Sequence, residues 1–290
     1  MNVDPLLGQA ARLAVDWSKT LCGTEPDSPN ACDWYHGAWP MLRLIGTVSG
    51  AKGDEAFFQA MFSKQARSVG CDRVLITGAA DYGILEQVLT AFRRGGVEPQ
   101  VTVIDQCQTA LKLNRWYADQ MGADIETCQS DIRCFSSDEP FDLVTTHSIL
   151  SFIPQDQHVA LFGNWRRLLR RGGRLIISQA VRPKYRGTAV RRFSAEEVEI
   201  FVQRALDDAS RNGAPLQFSE SELAGLAQRF ARNKFAYVVS ELTALEQGLQ
   251  HGGFMIESLT DVNRALLGHK SASPDAETTM TNAHIVARAV

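Results

Sequence analysis

The chain has 290 residues, 44% hydrophobic and 22% charged, a composition that excludes disorder as its main state. Thirty lysines and arginines against 33 acids give a net charge of −3, without the basic excess of proteins that wrap nucleic acid. No apolar run approaches bilayer length. The N-terminal MNVDPLLGQA has no basic stretch and carries Asp4, so it does not read as a secretory signal and a cytoplasmic protein is expected.

Residues 1–70 read as mainly helical. A break rich in Pro, Gly and Asn runs from Cys22 to Asn30, followed by the aromatic run Trp34-Tyr35-His36-Gly37-Ala38-Trp39-Pro40. The stretch Glu55 to Ala66 puts Phe57, Phe58, Met61, Phe62 and Ala66 on one helical face, suited to a lid or a dimer contact. The pattern changes at Cys71. Arg73 to Thr77 is a short apolar strand ending at Gly78, and Ile84 to Arg94 is a helix stopped by Gly95-Gly96. Val101 to Ile104 is a second strand ending at Asp105, followed by a helix from Ala110 to Met121. Asp124 to Thr127 and Phe141 to Thr146 are a third and a fourth strand. Pro154 opens a helix expected to run to Arg171 and to be capped by Gly172-Gly173 before a fifth strand, Arg174 to Ser178. Ser194 and Ser219 look like helix N-caps in a polar, helix-rich stretch over 182–250. Gly253 to Leu259 and His284 to Val290 are the last strands, joined by turns at Ser271, Ser273 and Pro274.

Strands alternating with helices predict an α/β fold with a doubly wound, Rossmann-like parallel sheet. Such sheets bind ligands beyond the carboxyl ends of the strands, where the strand order reverses. That places a site at Gly78 to Gly83, Asp105-Gln106, Ser130-Asp131-Ile132 and His147 to Phe152. The glycine and alanines of Gly78-Ala79-Ala80-Asp81-Tyr82-Gly83 admit a ligand close to the backbone, but the GxGxxG dinucleotide spacing is absent. Asp105 suits the two hydroxyls of a ribose and equally suits a helix N-cap. Asp131 with Ile132 suits an adenine, or is an ordinary loop aspartate.

In this order the features resemble the class I S-adenosylmethionine-dependent methyltransferases. The matching pieces are Val74 to Gly83, Val103-Ile104-Asp105, Gln129-Ser130-Asp131-Ile132, Phe141-Asp142-Leu143-Val144 and Trp165 to Ile177. The resemblance covers about 71–181 and 251–290. It implies a seven-stranded sheet, mostly parallel with an antiparallel C-terminal strand. It divides the chain into an N-terminal helical lid (1–70), the cofactor-binding core (71–181), a helical insertion (182–250) and the closing strands (251–290). It also implies S-adenosylmethionine as cofactor, with Gly78, Ala79 and Ala80 along its methionine part, Asp105 and the adjacent Gln106 at the ribose, Asp131 and Ile132 at the adenine, and His147 and Ser148 facing the reacting centre. One departure stands out. The family usually has an acidic residue two places before the first glycine; here that position is Ile76. Asp81 is the substitute the sequence offers for holding the methionine ammonium.

His147 is the candidate general base. Trp34, Tyr35 and Trp39, with Tyr185 after the fifth strand, are lid candidates, Tyr35 and Tyr185 being placed at the reacting centre. His36 and His158 read as surface or helix-face residues. Arg182, Lys184, Arg186, Arg191 and Arg192 read as a solvated face, the alternative being a contact with a carboxylate or phosphate. The six cysteines (22, 32, 71, 107, 128 and 134) form no CxxC pair, and the six histidines do not sit at ligand spacing from them. Reduced buried thiols and no metal are therefore expected.

The leading expectation is methyl transfer to a small-molecule partner, with a homodimer allowed and neither nucleic acid nor membrane involved. A second reading makes S-adenosylmethionine itself the substrate, its amine closing a four-membered ring to azetidine-2-carboxylate with loss of methylthioadenosine. A third is a non-catalytic cofactor-binding protein. A nicotinamide-dependent dehydrogenase ranks last.

Overall fold

The structure, a computed structural model, describes residues 6–23, 31–68, 70–183, 185–212, 218–264, 270 and 280–290. The turns expected at Ser271, Ser273 and Pro274, Lys184, and most of the break before Ala31 lie outside the described residues.

The N-terminal part is helical, as expected: α1 (Leu7–Leu21), α2 (Asp33–His36), α3 (Trp39–Leu44), a 3-10 turn at Gly50–Asp54 and α4 (Glu55–Ala66). The core follows with β1 (Arg73–Thr77), α5 (Gly83–Arg94), β2 (Gln100–Asp105), α6 (Gln108–Gln120), β3 (Ile125–Gln129), β4 (Phe141–His147), α7 (His158–Leu168) and β5 (Leu169–Val181). Next come β6 (Val190–Arg192), α8 (Ala195–Asn212), α9 (Glu220–Asn233), β7 (Phe235–Tyr237), α10 (Leu242–His251), β8 (Phe254–Asn263) and β9 (Thr281–Ala289).

Seven strands form one sheet in the order β3-β2-β1-β4-β5-β9-β8. The pairs from β3 to β5 are parallel, and β9 runs antiparallel to both β5 and β8. This is the expected mostly parallel sheet with one antiparallel strand. The order reverses between β1 and β4, so the crevice opens beyond Thr77 and His147. Side chains alternate between two apolar layers: Val74 and Ile76 of β1 join the layer that includes α1, α3, α4 and α5, whereas Leu75 joins the layer of α7 and α10. Burial on both faces explains why β1 and β4 read as near-continuous apolar runs.

Several local expectations are corrected. The helix expected to reach Arg171 ends at Leu168, because Leu169 already pairs with Phe141. The register then shifts before Leu143 pairs with Arg174, so Gly172-Gly173 belong to an irregularity within β5 and cap no helix. Asp142 stabilises this edge: its Oδ2 accepts the N–H groups of Asp72 (3.1 Å) and Arg73 (2.9 Å), and its Oδ1 pairs with Arg170. His36 and His158 sit on helices, as one of the expected alternatives has it, but both are buried rather than at the surface. His158 Nε2 lies 3.0 Å from the Ile153 carbonyl, and burial pushes the His158 imidazole below its usual range. The apolar face of α4 is covered within the chain, with Phe58 and Phe62 fully buried near α5.

Ser194 and Ser219 both cap helices by reciprocal bonds with Glu197 and Glu222. The helices they start, α8 and α9, pack on each other, and α9 packs on α2. This joins the stretch after β5 to the N-terminal helices above the carboxyl edge of the sheet. Helix α10 packs instead on α7 and β8.

Candidate active site

Beyond the crevice lies a cavity of about 400 Å³. Its floor is the strand-end set read from the sequence: Gly78 to Asp81 after β1, Asp105 and Gln106 after β2, Asp131 and Ile132 after β3, and His147 and Ser148 after β4. Gly78 has φ +71°, and a Cβ there would sit 2.6 Å from Ile149 Cδ1. Only glycine fits both constraints. Ser148 is the one residue other than glycine with positive φ among the described residues, at +58°. It is held there by its N–H on the Ser178 carbonyl (2.8 Å) and by its Oγ accepting the Ala180 N–H (3.2 Å).

Asp105 clamps the loop after β1. Its Oδ2 accepts the Ala79 N–H at 2.8 Å and its Oδ1 the Cys107 N–H at 2.7 Å. Burial pushes its carboxyl up, against the lowering effects of His36 and of these two amides. Each oxygen has a lone pair beyond the bond it accepts, which suits the paired hydroxyls of a ribose. Ile132 is buried and presents an apolar wall. Asp131 is engaged by Arg133, whose guanidinium holds its carboxyl below the usual range.

Asp81 has a different partner from the one the sequence offered it. Its Oδ2 lies 2.6 Å from Arg43 Nη1, both side chains buried, and its Oδ1 caps α5 by accepting the Gly83 N–H at 2.8 Å. The ion pair occupies the carboxylate expected to meet an ammonium.

The roof comes from the two helical parts. Tyr35 and Trp39 stack with centroids 5.2 Å apart, and Phe152 meets Tyr35 edge-on at 5.3 Å. Burial, then the charges of Asp81 and Asp105, push the Tyr35 hydroxyl far up, so it stays neutral. Tyr185, expected in this lid, is not among the lining residues.

The basic residues after β5 correct a further expectation. Arg182 is buried and Arg191 half-buried, and both line the cavity with Lys234 and Arg264 rather than forming a solvated face. Lys234 Nζ lies 5.1 Å from the Phe152 ring centre and 5.8 Å from that of Tyr35. Burial, with Arg182 and Arg264 close by, pushes its ammonium down to about 8. Burial likewise pushes Arg264 down to about 10. Arg182, Lys234 and Arg264 thus concentrate positive charge in the cavity wall.

His147 is held from below by a residue sequence reasoning missed. Asp54 is fully buried; it accepts from His147 Nε2 (3.0 Å), His284 Nε2 (2.7 Å), Ser178 Oγ (2.9 Å) and Asn282 Nδ2 (2.8 Å). The Asp–His pairing fixes the orientation of the imidazole. Asp54 sits in Gly50-Ala51-Lys52-Gly53-Asp54, a turn with no motif of its own.

Residues 83–173 match the family model of a methyltransferase domain. No curated protein matches the chain in sequence. Among solved structures, an S-adenosylmethionine-dependent methyltransferase from Clostridium acetobutylicum is similar at a TM-score of 0.54 and 14% identity, over 86% of this chain and 95% of that one. A putative sarcosine dimethylglycine methyltransferase from Galdieria sulphuraria is similar at 0.52 and 12%, over 81% and 84%. The [4+2]-cyclase SpnF is similar at 0.51 and 14%, over 98% and 93%. Residues 83–173 thus match a methyltransferase domain, and the chain shares its fold with S-adenosylmethionine-dependent methyltransferases. At these identities the solved structures speak for the fold alone, and one of them is named for a cyclisation. The strand ends supply the floor of the cavity, and the N-terminal helices with β6, β7 and their neighbours supply the roof. Among the described residues no helix is long and apolar enough to cross a membrane.

Proposed function

We propose that this chain is a methyltransferase whose acceptor is a small molecule bearing a carboxylate or phosphate. The observation that carries the reading is the make-up of the cavity: Gly78 and Asp105 line it together with the cations Arg182, Lys234 and Arg264. S-adenosylmethionine, when bound, supplies an electrophilic methyl group that needs positioning more than activation. Asp105 holds the ribose hydroxyls and Ile132 covers the adenine. Tyr35, Trp39 and Phe152 exclude water from the reacting centre. Arg182, Lys234 and Arg264 anchor the acceptor's anionic group. His147, oriented by Asp54, accepts the proton that a hydroxyl or amine acceptor loses. The cations lining the cavity favour an anionic acceptor, and the net negative charge of the chain favours a small molecule over nucleic acid. A cytoplasmic location fits this reading.

A second reading keeps the cofactor and makes it the sole substrate. Its support is the first motif: Ile76 is fully buried and Asp81 is paired with Arg43, so neither clamps an ammonium. The free amine of S-adenosylmethionine would attack its own γ-carbon. The carbon–sulfur bond breaks, methylthioadenosine leaves with the electron pair, and the amine loses one proton, giving azetidine-2-carboxylate. Mass spectrometry after incubation with S-adenosylmethionine alone separates the readings. Methylthioadenosine appearing without acceptor replaces methyl transfer. Intact cofactor, followed by S-adenosylhomocysteine formation only when a carboxylate or phosphate acceptor panel is added, supports it. Saturable binding with no product from any acceptor leaves the cofactor-binding protein.

A further inference from the structure

Sequence spacing separates the cysteines from the histidines; the fold does not. The ligand atoms of Cys22, Cys32, His36 and Cys107 all lie within 4.8 Å of one another. Cys22 Sγ is 3.4 Å from Cys107 Sγ and 3.8 Å from His36 Nδ1. Four tetrahedral ligands with metal–sulfur bonds of about 2.3 Å stand about 3.8 Å apart, so this spacing suits an ion at their centre.

The four side chains come from three elements, which explains why no linear motif announces them. Cys22 is the C-cap of α1. Cys32 is the residue before α2 and His36 its last residue, four positions apart on one face. Cys107 is the residue before α6. A backbone bridge between Gly23 and Ala31, with the Cys32 N–H on the Gly23 carbonyl at 3.2 Å, brings the first two cysteines together. Cys22, His36 and Cys107 are buried and Cys32 is half-buried. The Thr109 hydroxyl lies 3.2 Å from Cys22 Sγ, placed to donate to a metal-bound thiolate as an outer-shell partner.

We propose that these residues bind a structural zinc ion through three thiolates and one imidazole. Sulfur-rich tetrahedral sites favour zinc over magnesium, calcium or manganese, and four protein ligands leave no open position for catalysis. The ion clips α1 and α2, the start of the cavity roof, to the first turn of α6. It does so beside Asp105, whose Oδ1 accepts the Cys107 N–H. Cys32 and His36 also line the cavity. The zinc therefore fixes the height of the roof above the strand ends.

Metal analysis of the full-length chain, expressed with zinc and purified without chelator, tests this. The expected result is about one zinc per chain. It is lost in Cys32→Ser and in Cys107→Ser and kept in Cys134→Ser, whose side chain is exposed and outside the cluster. Replacement by Co²⁺ in the unmutated chain should give the visible and thiolate charge-transfer bands of a tetrahedral sulfur-rich site, independently of whether a variant folds. A chelator should lower the melting temperature of the unmutated chain and leave that of Cys32→Ser unchanged. Metal-free protein that binds no added zinc, iron or copper in place of zinc, or a Cys22–Cys107 disulfide under reducing purification would overturn the proposal. None of these readouts depends on methyl transfer.

Discussion

Asp54 Oδ2 lies 3.0 Å from His147 Nε2, joining a turn before α4 to the end of β4 across 93 residues of chain. The same carboxylate also holds His284 of β9 at 2.7 Å. One buried acid thus ties the N-terminal part, the switch point and the antiparallel strand into one network.

That network predicts two separable effects. His147→Gln should lower turnover about 100-fold or more if the acceptor loses a proton in the rate-determining step, with cofactor affinity nearly unchanged. Asp54→Asn should lower turnover as well and should also cost about 1–3 kcal/mol of stability, because the amide keeps one acceptor oxygen and turns the other into a donor facing buried donors. Turnover assays and urea denaturation of the two variants check the split.

Lys234 predicts a pH dependence. Its ammonium is pushed down to about 8 by burial and by Arg182 and Arg264, with the rings of Tyr35, Phe152 and Phe230 around it. Below that pH it is charged and attracts an anionic acceptor; above it the attraction is lost. KM for the acceptor should rise as pH passes 8, and Lys234→Arg, charged throughout, should flatten the rise. Stability has the opposite sign. Between about 8 and the ordinary lysine value of 10.5 the unfolded chain binds more protons than the folded one, so stability from this group grows with pH across that window. Kinetic profiles from pH 7 to 9.5 and melting curves from 7 to 10.5 test both signs.

The Arg43–Asp81 pair, 2.6 Å apart and buried, predicts a double-mutant signature. Arg43→Met or Asp81→Asn alone should destabilise by about 3–5 kcal/mol, because each leaves one polar partner unmatched in the interior. Arg43→Met combined with Asp81→Leu should recover most of the loss. Thermal melts decide this. Cofactor titration by calorimetry should show affinity falling only as far as each variant loosens the loop. A selective loss of cofactor affinity in fully folded Asp81→Asn would instead return Asp81 to the ammonium.

Ser148 at φ +58° predicts tolerance of glycine and intolerance of branching. Ser148→Gly relieves the left-handed strain but loses the bond to the Ala180 N–H, so stability should change by less than about 1 kcal/mol. Ser148→Val should cost more than about 2 kcal/mol, because a β-branched side chain resists that conformation. Urea midpoints of the two variants measure the difference.

The sheet and its open edge are legible in local sequence. Val74 to Ile76 and Leu143 to Val144 are apolar on successive residues, which is the local signature of strands buried on both faces. Once the strands alternate with helices, the residues at their carboxyl ends share one crevice. For this reason Gly78, Asp105, Ile132 and His147 were legible from sequence and meet in one cavity. The end of α7 was less legible, because pairing of Leu169 with Phe141 overrides a run that is equally good helix. Only its position after β5 suggests Tyr185 for the lid, and position does not say which way the chain turns there.

The chemistry around that crevice is set by packing instead. Asp54 beneath His147, Arg43 on Asp81, Arg182 and Lys234 in the cavity wall, and Cys107 beside Cys22 and His36 are contacts between distant parts of the chain. Local sequence carries the periodicity of burial, because a strand or helix repeats its environment every two or 3.6 residues. It carries no trace of which buried charge or thiol will face which partner. That choice is made when helices pack and long loops close, and a charged residue destined for a buried pair has the same local pattern as one facing water.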